Sequence, residues 1–394
     1  MSQKLLIKNV TIYTDTAIID SGFIKIENTK ITEIGTLTDL RTPDDFEIMD
    51  LSGKTIKAIP GFIDVHIHGA DGADVMDGTS EALHKMAMAL PKEGTTSFLA
   101  TTMTQSNTSI EKALSNTVNY MSNQPATQAE IIGIHLEGPF INETRKGAQP
   151  AEHIQKPNLE LFKKWNELAK GKIKLVTLAP PEIDGSSELI EYFKNNRIIA
   201  SAGHTDASSE QINRAIKHGL SHITHLYNQM RGFHHREPGG VVGAAWNNDS
   251  LMVEIIADGV HSTKEAVQIA YQQKQENKLI LITDSMRAKC LKDGVYDLGG
   301  QEVTVKNQEA TLKDGTLAGS TLKLGDGFKN IIQFTDCSIE AAICMSSQNA
   351  AKELGIYEKK GSITVGKDAD IVLLNEDNDV ITTICRGNIA YSNE

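Results

Sequence analysis

Two histidines, His66 and His68, close an apolar run that begins Ile59-Pro60-Gly61-Phe62-Ile63-Asp64-Val65. On an extended strand, residues i and i+2 share a face, so both imidazoles can reach one metal ion. A His-x-His pair alone is weak evidence, because histidines near strand ends are common. Other apolar runs end in the same kind of residue, however. His135-Leu136-Glu137-Gly138-Pro139, Gly203-His204-Thr205, Thr224-His225-Leu226-Tyr227-Asn228, Asp258-Gly259-Val260-His261 and Thr283-Asp284-Ser285-Met286 each close or follow one. Gathered in one place, His66, His68, His204, His225, Glu137 and Asp284 offer imidazole and carboxylate ligands without a thiolate. That donor set suits Zn²⁺, Fe²⁺, Mn²⁺ or Co²⁺. Three protein ligands with an open position suit catalysis more than structure.

The elements that must position these groups follow from hydrophobic periodicity. Short apolar runs at 59–65, 95–101, 131–137, 173–178, 198–202, 222–226, 252–257 and 279–283 read as strands. Helical spacing follows most of them, as in Leu83, Met86, Ala87 and Leu90, or Ile212, Ala215 and Ile216. Ser186, Ser208 and Thr263 are candidate N-caps. A glycine-rich loop at 232–243 takes the place of a helix after the sixth strand, and helices at 328–334 and 339–354 follow the eighth at a distance. Eight strand–helix units predict an α/β chain with a (β/α)8 barrel, whose functional groups sit where the strands end. An open doubly wound sheet is the alternative, but no G-x-G-x-x-G follows an early strand. Both chain ends return to strand patterns, at 5–13, 22–26 and 30–34 and again at 361–374 and 380–385. They predict a small β-sandwich domain beside the barrel. The expected division is 1–57 and 355–394 for the small domain and 58–354 for the barrel.

Composition sets limits on partners. The chain has 394 residues, 40% hydrophobic and 23% charged, which is ordinary for a globular protein. A net charge of −12 argues against a nucleic-acid surface, while leaving room for a small anionic substrate. Residues 1–8 lack the apolar core of a signal peptide, and no run is long enough to span a membrane. Cys290, Cys337, Cys344 and Cys385 form no C-x-x-C pair and read as reduced, mostly buried thiols of a cytoplasmic protein. The remaining histidines have plainer readings. His84 and His218 read as solvated, His153, His234 and His235 as loop residues, His222 as core or support, and His135 as a packed, hydrogen-bonded group.

Motifs along nearly the whole chain carry a family likeness. The start Pro60-Gly61-Phe62-Ile63-Asp64-Val65-His66-Ile67-His68 and the tail Gly366-Lys367-Asp368-Ala369-Asp370-Ile371 resemble the amidohydrolase superfamily. Within it, His135-Leu136-Glu137-Gly138-Pro139-Phe140, Ala202-Gly203-His204-Thr205, Thr224-His225-Leu226-Tyr227-Asn228-Gln229-Met230, Arg236-Glu237-Pro238-Gly239, Asp258-Gly259-Val260-His261, Thr283-Asp284 and Leu317-Ala318-Gly319-Ser320 are similar, in order, to the N-acetylglucosamine-6-phosphate deacetylase family. The resemblance implies metal ligation by Glu137, His204 and His225 and an acid/base role for Asp284. It implies substrate contacts at Ala148, Gln149, Asn228, Gln229, Arg236, Asp258, Gly259, Val260, His261, Leu317, Ala318 and Gly319. It also implies a homodimer in which Arg236 reaches the sugar phosphate in the neighbouring site. Some family members lack the His-x-His pair and hold one metal. With His66 and His68 present, a second ion bridged by Glu137 is expected, giving one or two divalent ions per subunit. Gln149 departs from the histidine often found there in relatives.

The implied reaction removes the acetyl group of N-acetylglucosamine 6-phosphate, giving glucosamine 6-phosphate and acetate in amino-sugar catabolism. The alternatives are the N-acetylgalactosamine 6-phosphate epimer, another amidohydrolase reaction such as cyclic-amide hydrolysis or adenine deamination, and a non-catalytic barrel scaffold. Cyclic-amide hydrolases of the superfamily usually bridge two metals with a modified lysine on strand four. Here Lys172 and Lys174 fall at the start of that strand. A scaffold has little reason to keep every ligand together with Asp284.

Overall fold

In the computed structural model, which describes residues 4–41, 45–180 and 187–393, one parallel ladder runs in chain order. Its strands one to eight are Phe62–Ile67, Thr95–Thr102, Glu130–Glu137, Ile173–Leu178, Ile199–Ala202, Leu220–Ile223, Met252–Ile255 and Leu279–Leu281. The two ends of the ladder meet. Asp284 donates its N–H to His66 O at 2.8 Å, His68 donates to Ser285 O at 3.0 Å, and Ile67 bridges Ser285. Asp64 strengthens this seam by accepting from the Thr283 hydroxyl at 2.6 Å. The predicted eight-unit barrel is therefore present, with strands one and eight joined at their C-terminal ends.

The core sits in two layers. Outside the strands, Phe62, Phe162, Trp165, Phe193 and Phe328 pack in one large cluster between sheet and helices. Inside, Ile63, Val65, Leu99, Leu175, Ile280 and Ile282 fill the lower barrel. Ser208 and Thr263 cap their helices as expected, each accepting from a backbone N–H of the first turn. Ser186 lies outside the described residues.

Several expectations shift. The run at 59–65 is two strands, because Gly61 breaks it. Lys57–Pro60 joins the small sheet, and the barrel starts at Phe62. A Cβ at Gly61 would lie 2.2 Å from Thr96 Oγ1, so only glycine lets the chain cross here. The sixth strand is Leu220–Ile223, two residues earlier than expected, which leaves Thr224 and His225 free to turn into the mouth. Behind it, a short helix, Val241–Asn247, closes the glycine-rich loop. A three-stranded antiparallel sheet, Gly294–Leu298, Gln301–Lys306 and Glu309–Thr311, fills the interval after strand eight.

The chain ends combine in one eight-stranded sheet, with Lys57–Pro60 between Lys4–Tyr13 and Ile371–Leu374. Of the tail predicted as strand at 361–374, only Ile371–Leu374 forms a strand, while Ile363 and Asp368 make isolated bridges to Thr14 and Lys30. Gly361 and Gly366 have positive φ, and the residues between them and the strand build a clamp instead. Lys360, 5% exposed, lies 2.5 Å from Asp370 and 2.7 Å from Glu130, the first residue of barrel strand three. Arg386 adds donation to Pro125 O at 2.6 Å. The tail motif thus ties the small sheet to the barrel floor. Among the described residues, no helix is long and apolar enough to cross a membrane.

Removing one partner of a buried ion pair leaves the other charge uncompensated. Lys360→Met should therefore cost about 3–5 kcal/mol in urea unfolding. A loss under about 1 kcal/mol would mean the clamp behaves as an exposed pair.

Candidate active site

Glu137 ends strand three and is 1% exposed. Its Oε1 lies 3.1 Å from His204 Nε2 and 3.3 Å from both His225 Nε2 and His66 Nε2. Its Oε2 lies 3.2 Å from His68 Nε2. Asp284 Oδ1 is 3.2 Å from the same His68 nitrogen and 3.4 Å from His66 Nε2. The six residues singled out by their positions after apolar runs meet at one mouth of the barrel.

Local backbone explains how they get there. Pairing between strands one and two slips register between Asp64 and Ile67. Such a slip re-aims side chains, so Val65 stays in the inner apolar layer while His66 and His68 both turn to Glu137. Gly203 lets strand five run close to its neighbours, since a Cβ there would lie 2.7 Å from both Thr177 Cγ2 and Thr224 Cβ. His204, His225 and Asp284 all carry positive φ, at 47°, 29° and 47°. Left-handed backbone at a non-glycine residue costs on the order of 1 kcal/mol or more, and it clusters at functional sites. Here the surroundings impose it. Asn142 donates to His204 O at 2.9 Å, Asn228 to His225 O at 3.0 Å, and Ser320 to Asp284 O at 2.8 Å.

The donor chemistry fits a cation. His204 Nδ1 is paired with Arg145 O at 2.9 Å, so its Nε2 presents a lone pair. That atom lies only 3.1 Å from His225 Nε2. Among the described residues, buried His66 Nε2 has no hydrogen-bond partner. Glu137 with His204 and His225, and Glu137 with His66 and His68, are each close enough to hold an ion. The electrostatics agree. Burial pulls the His68 pKa down, but Asp284 and Glu137 raise it to about 10. Burial raises Asp284, but the charge of His66 and the hydrogen bond from His68 hold it at about 2. The pocket favours positive charge between carboxylates.

The outlying positions divide. Ala148, Gln149, Asn228, Gln229, His261, Leu317 and Gly319 line the pocket with the cluster, as do Met103 and Leu298. Those last two were not anticipated. Leu298 comes from the unforeseen three-stranded sheet. Gln149 faces inward: its amide donates to Glu137 Oε2 at 2.7 Å and accepts from the Thr104 N–H at 2.8 Å. Asp258 supports the pocket by holding His261 Nδ1 at 2.7 Å, so only His261 Nε2 is left to address a ligand. Ala318 is buried beside the pocket. Gly259, Val260 and Arg236 are exposed and do not line it. His135 is the packed histidine expected, paired with Val65 O at 3.0 Å and the Thr177 hydroxyl at 2.8 Å. Sequence reading missed Glu254, fully buried at the centre of strand seven and 3.0 Å from His66 Nδ1. The signal was a lone acid inside the apolar run Met252-Val253-Glu254-Ile255-Ile256.

A closed (β/α)8 barrel with this His/carboxylate cluster at its strand ends defines an enzyme class built round a metal-binding mouth. The amidohydrolase family model matches residues 58–390, and the chain belongs to that family. It is 51% identical over 393 residues to the N-acetylglucosamine-6-phosphate deacetylase of Bacillus subtilis (strain 168), covering 99% of this chain and 98% of the relative. It is 34% identical over 316 residues to an N-acetylgalactosamine-6-phosphate deacetylase of Escherichia coli O157:H7, covering 80% and 83%. Among solved structures, the Thermotoga maritima N-acetylglucosamine-6-phosphate deacetylase superposes with a TM-score of 0.86 at 35% identity, covering 98% of this chain and 100% of that one. A point mutant of the Mycobacterium smegmatis deacetylase, in complex with N-acetyl-D-glucosamine-6-phosphate, gives 0.91 at 27% identity over 99% and 100%.

Replacing His66 and His68 together by alanine should lower the metal content by one ion per chain, measured by elemental analysis of the purified protein. Unchanged content would make the pair structural.

Proposed function

We propose that this chain is a divalent-metal-dependent N-acetylglucosamine-6-phosphate deacetylase. The observation that carries the reading is the meeting of Glu137, His204, His225, His66, His68 and Asp284 at one mouth. The end-to-end likeness to the Bacillus subtilis deacetylase supplies the substrate. Glu137, His204 and His225 would hold the principal ion, and His66 and His68, together with Glu137, would hold a second one. Zn²⁺, Fe²⁺, Mn²⁺ and Co²⁺ all suit these donors. A divalent ion there supplies Lewis acidity and brings the pKa of water from 15.7 toward about 7.

The chain's own groups do the rest. Asp284 accepts the proton of the attacking water at a carboxylate oxygen. The water oxygen bonds to the acetyl carbon as the carbonyl π electrons move onto its oxygen. Asp284 then passes the proton to the amide nitrogen, a poor leaving group until protonated, and the C–N bond breaks as the carbonyl re-forms. The products are acetate and glucosamine 6-phosphate. His261 addresses the carbonyl oxygen through Nε2, and Asp258 keeps that ring in place. Leu298 and Met103 cover the mouth with apolar surface. Arg236, exposed within its own chain, meets the phosphate of a second subunit's substrate in a homodimer, where a guanidinium pairs bidentately with phosphate. Three buried cysteines among four free thiols accord with a reducing, cytoplasmic setting.

The second reading is the galactosamine epimer, favoured by the Escherichia coli relative, whose likeness is weaker and shorter. Acetate-release kinetics on both phosphorylated sugars and on unphosphorylated N-acetylglucosamine separate the readings. A clear preference for the galactosamine substrate would overturn the first. Asp284→Asn should retain metal and lose about 10²–10⁴-fold in kcat. Near-normal turnover would remove Asp284 from the mechanism. Arg236→Ala should raise KM roughly 10–100-fold with kcat little changed, as expected for a lost charged hydrogen bond. An unchanged KM would count against the phosphate role.

A further inference from the structure

Behind the metal-binding mouth, strand seven carries a charge into the barrel interior. Glu254 is fully buried, flanked in sequence by Val253 and Ile255. A carboxylate in such a place requires several hydrogen bonds to offset its lost hydration, and the structure supplies them. Glu254 Oε2 accepts from the backbone N–H of His225 at 3.0 Å and pairs with His66 Nδ1, also at 3.0 Å. Oε1 faces His222 Nε2 at 3.3 Å, and His222 Nδ1 lies 3.5 Å from Glu353 Oε1. One oxygen atom thus touches one residue from each half of the cluster. On His66 it meets the ring nitrogen remote from Glu137. On His225 it meets the backbone, at a residue held in left-handed conformation.

We propose that Glu254 is a positioning residue that sets both candidate ion positions at once, a role resting on the metal-dependent reading above. Accepting the Nδ1 proton of His66 fixes the tautomer whose Nε2 lone pair faces Glu137 and Asp284, and raises its strength as a ligand. Accepting the His225 N–H holds the strained turn that aims that imidazole at Glu137. His222 and Glu353 brace the opposite oxygen, so the carboxylate cannot rotate away from either contact. His135, which packs against His66 with ring centroids 4.5 Å apart, cannot substitute, because both its nitrogens are engaged by Val65 O and Thr177.

The test is cobalt titration of metal-free protein, followed by visible absorption, on wild type, Glu254→Gln and Glu254→Ala. Carboxylates behind ligating histidines are commonly worth about 10–100-fold in metal affinity. Wild type should bind two equivalents of Co²⁺. Glu254→Gln, which keeps the shape with a weaker acceptor, should weaken both equivalents about 10-fold, and Glu254→Ala about 100-fold with an altered spectrum. A role confined to stability would lower the melting temperature of both variants and leave the Co²⁺ affinity of the folded protein unchanged. Wild-type affinity for both equivalents in Glu254→Gln overturns the proposal even if Glu254→Ala fails to fold. A wild-type protein that takes up a single equivalent overturns it too. Acetate release by the wild type is assayed separately. Inactivity there would remove the deacetylase reading and leave the cobalt result intact.

Discussion

A carboxylate buried at the end of barrel strand three sets the terms for everything around it. Glu137 is 1% exposed, and four imidazole nitrogens and one amide crowd its two oxygens. A buried anion is tolerated only where positive charge and hydrogen-bond donors converge on it. That requirement accounts for the register slip in strand one, the close approach at Gly203 and the left-handed turns at His204 and His225. Each bends the backbone away from its easiest path, and each brings a group into range of the same carboxylate. The barrel walls provide the rigidity that makes such strain sustainable.

The outer parts of the site play a different role from the cluster. Gln149 and Asp258 contact other pocket residues, and in this chain their hydrogen bonds are already committed to Glu137 and His261. Specificity for a sugar therefore falls to the residues with free polar atoms or open surface. The three-stranded sheet at 294–311 contributes Leu298 to the rim and leaves most of its own surface in solvent.

Much of this was legible in the sequence, for a physical reason. A buried parallel strand must be apolar on both faces, so a polar residue directly after one marks the mouth of the barrel. His204, His225 and Asp284 were found that way. Glu254 was not, because it lies inside an apolar run and is made tolerable by partners from two other segments, at His66 and at His222 and His225. The sheet at 294–311 was missed because its half-exposed strands have little hydrophobic signal, although Gly299-Gly300 and Asn307-Gln308 mark its turns. The break at Gly61 depends on how close Thr96 comes, which periodicity cannot reveal. The tail motif Gly366-Lys367-Asp368-Ala369-Asp370 marked the family, yet its acids serve the Lys360 clamp far from the chemistry.

The placement of Lys57–Pro60 between Lys4–Tyr13 and Ile371–Leu374 also governs how the molecule comes into being. About 300 residues separate that strand from its C-terminal partner. At about 5–20 residues per second, a ribosome needs roughly 15–60 s to deliver the partner. Throughout that interval the edge of Lys57–Pro60 offers unpaired N–H and C=O groups beside apolar side chains, the combination that invites pairing with another chain. That edge stays open until Ile371–Leu374 arrives to close it.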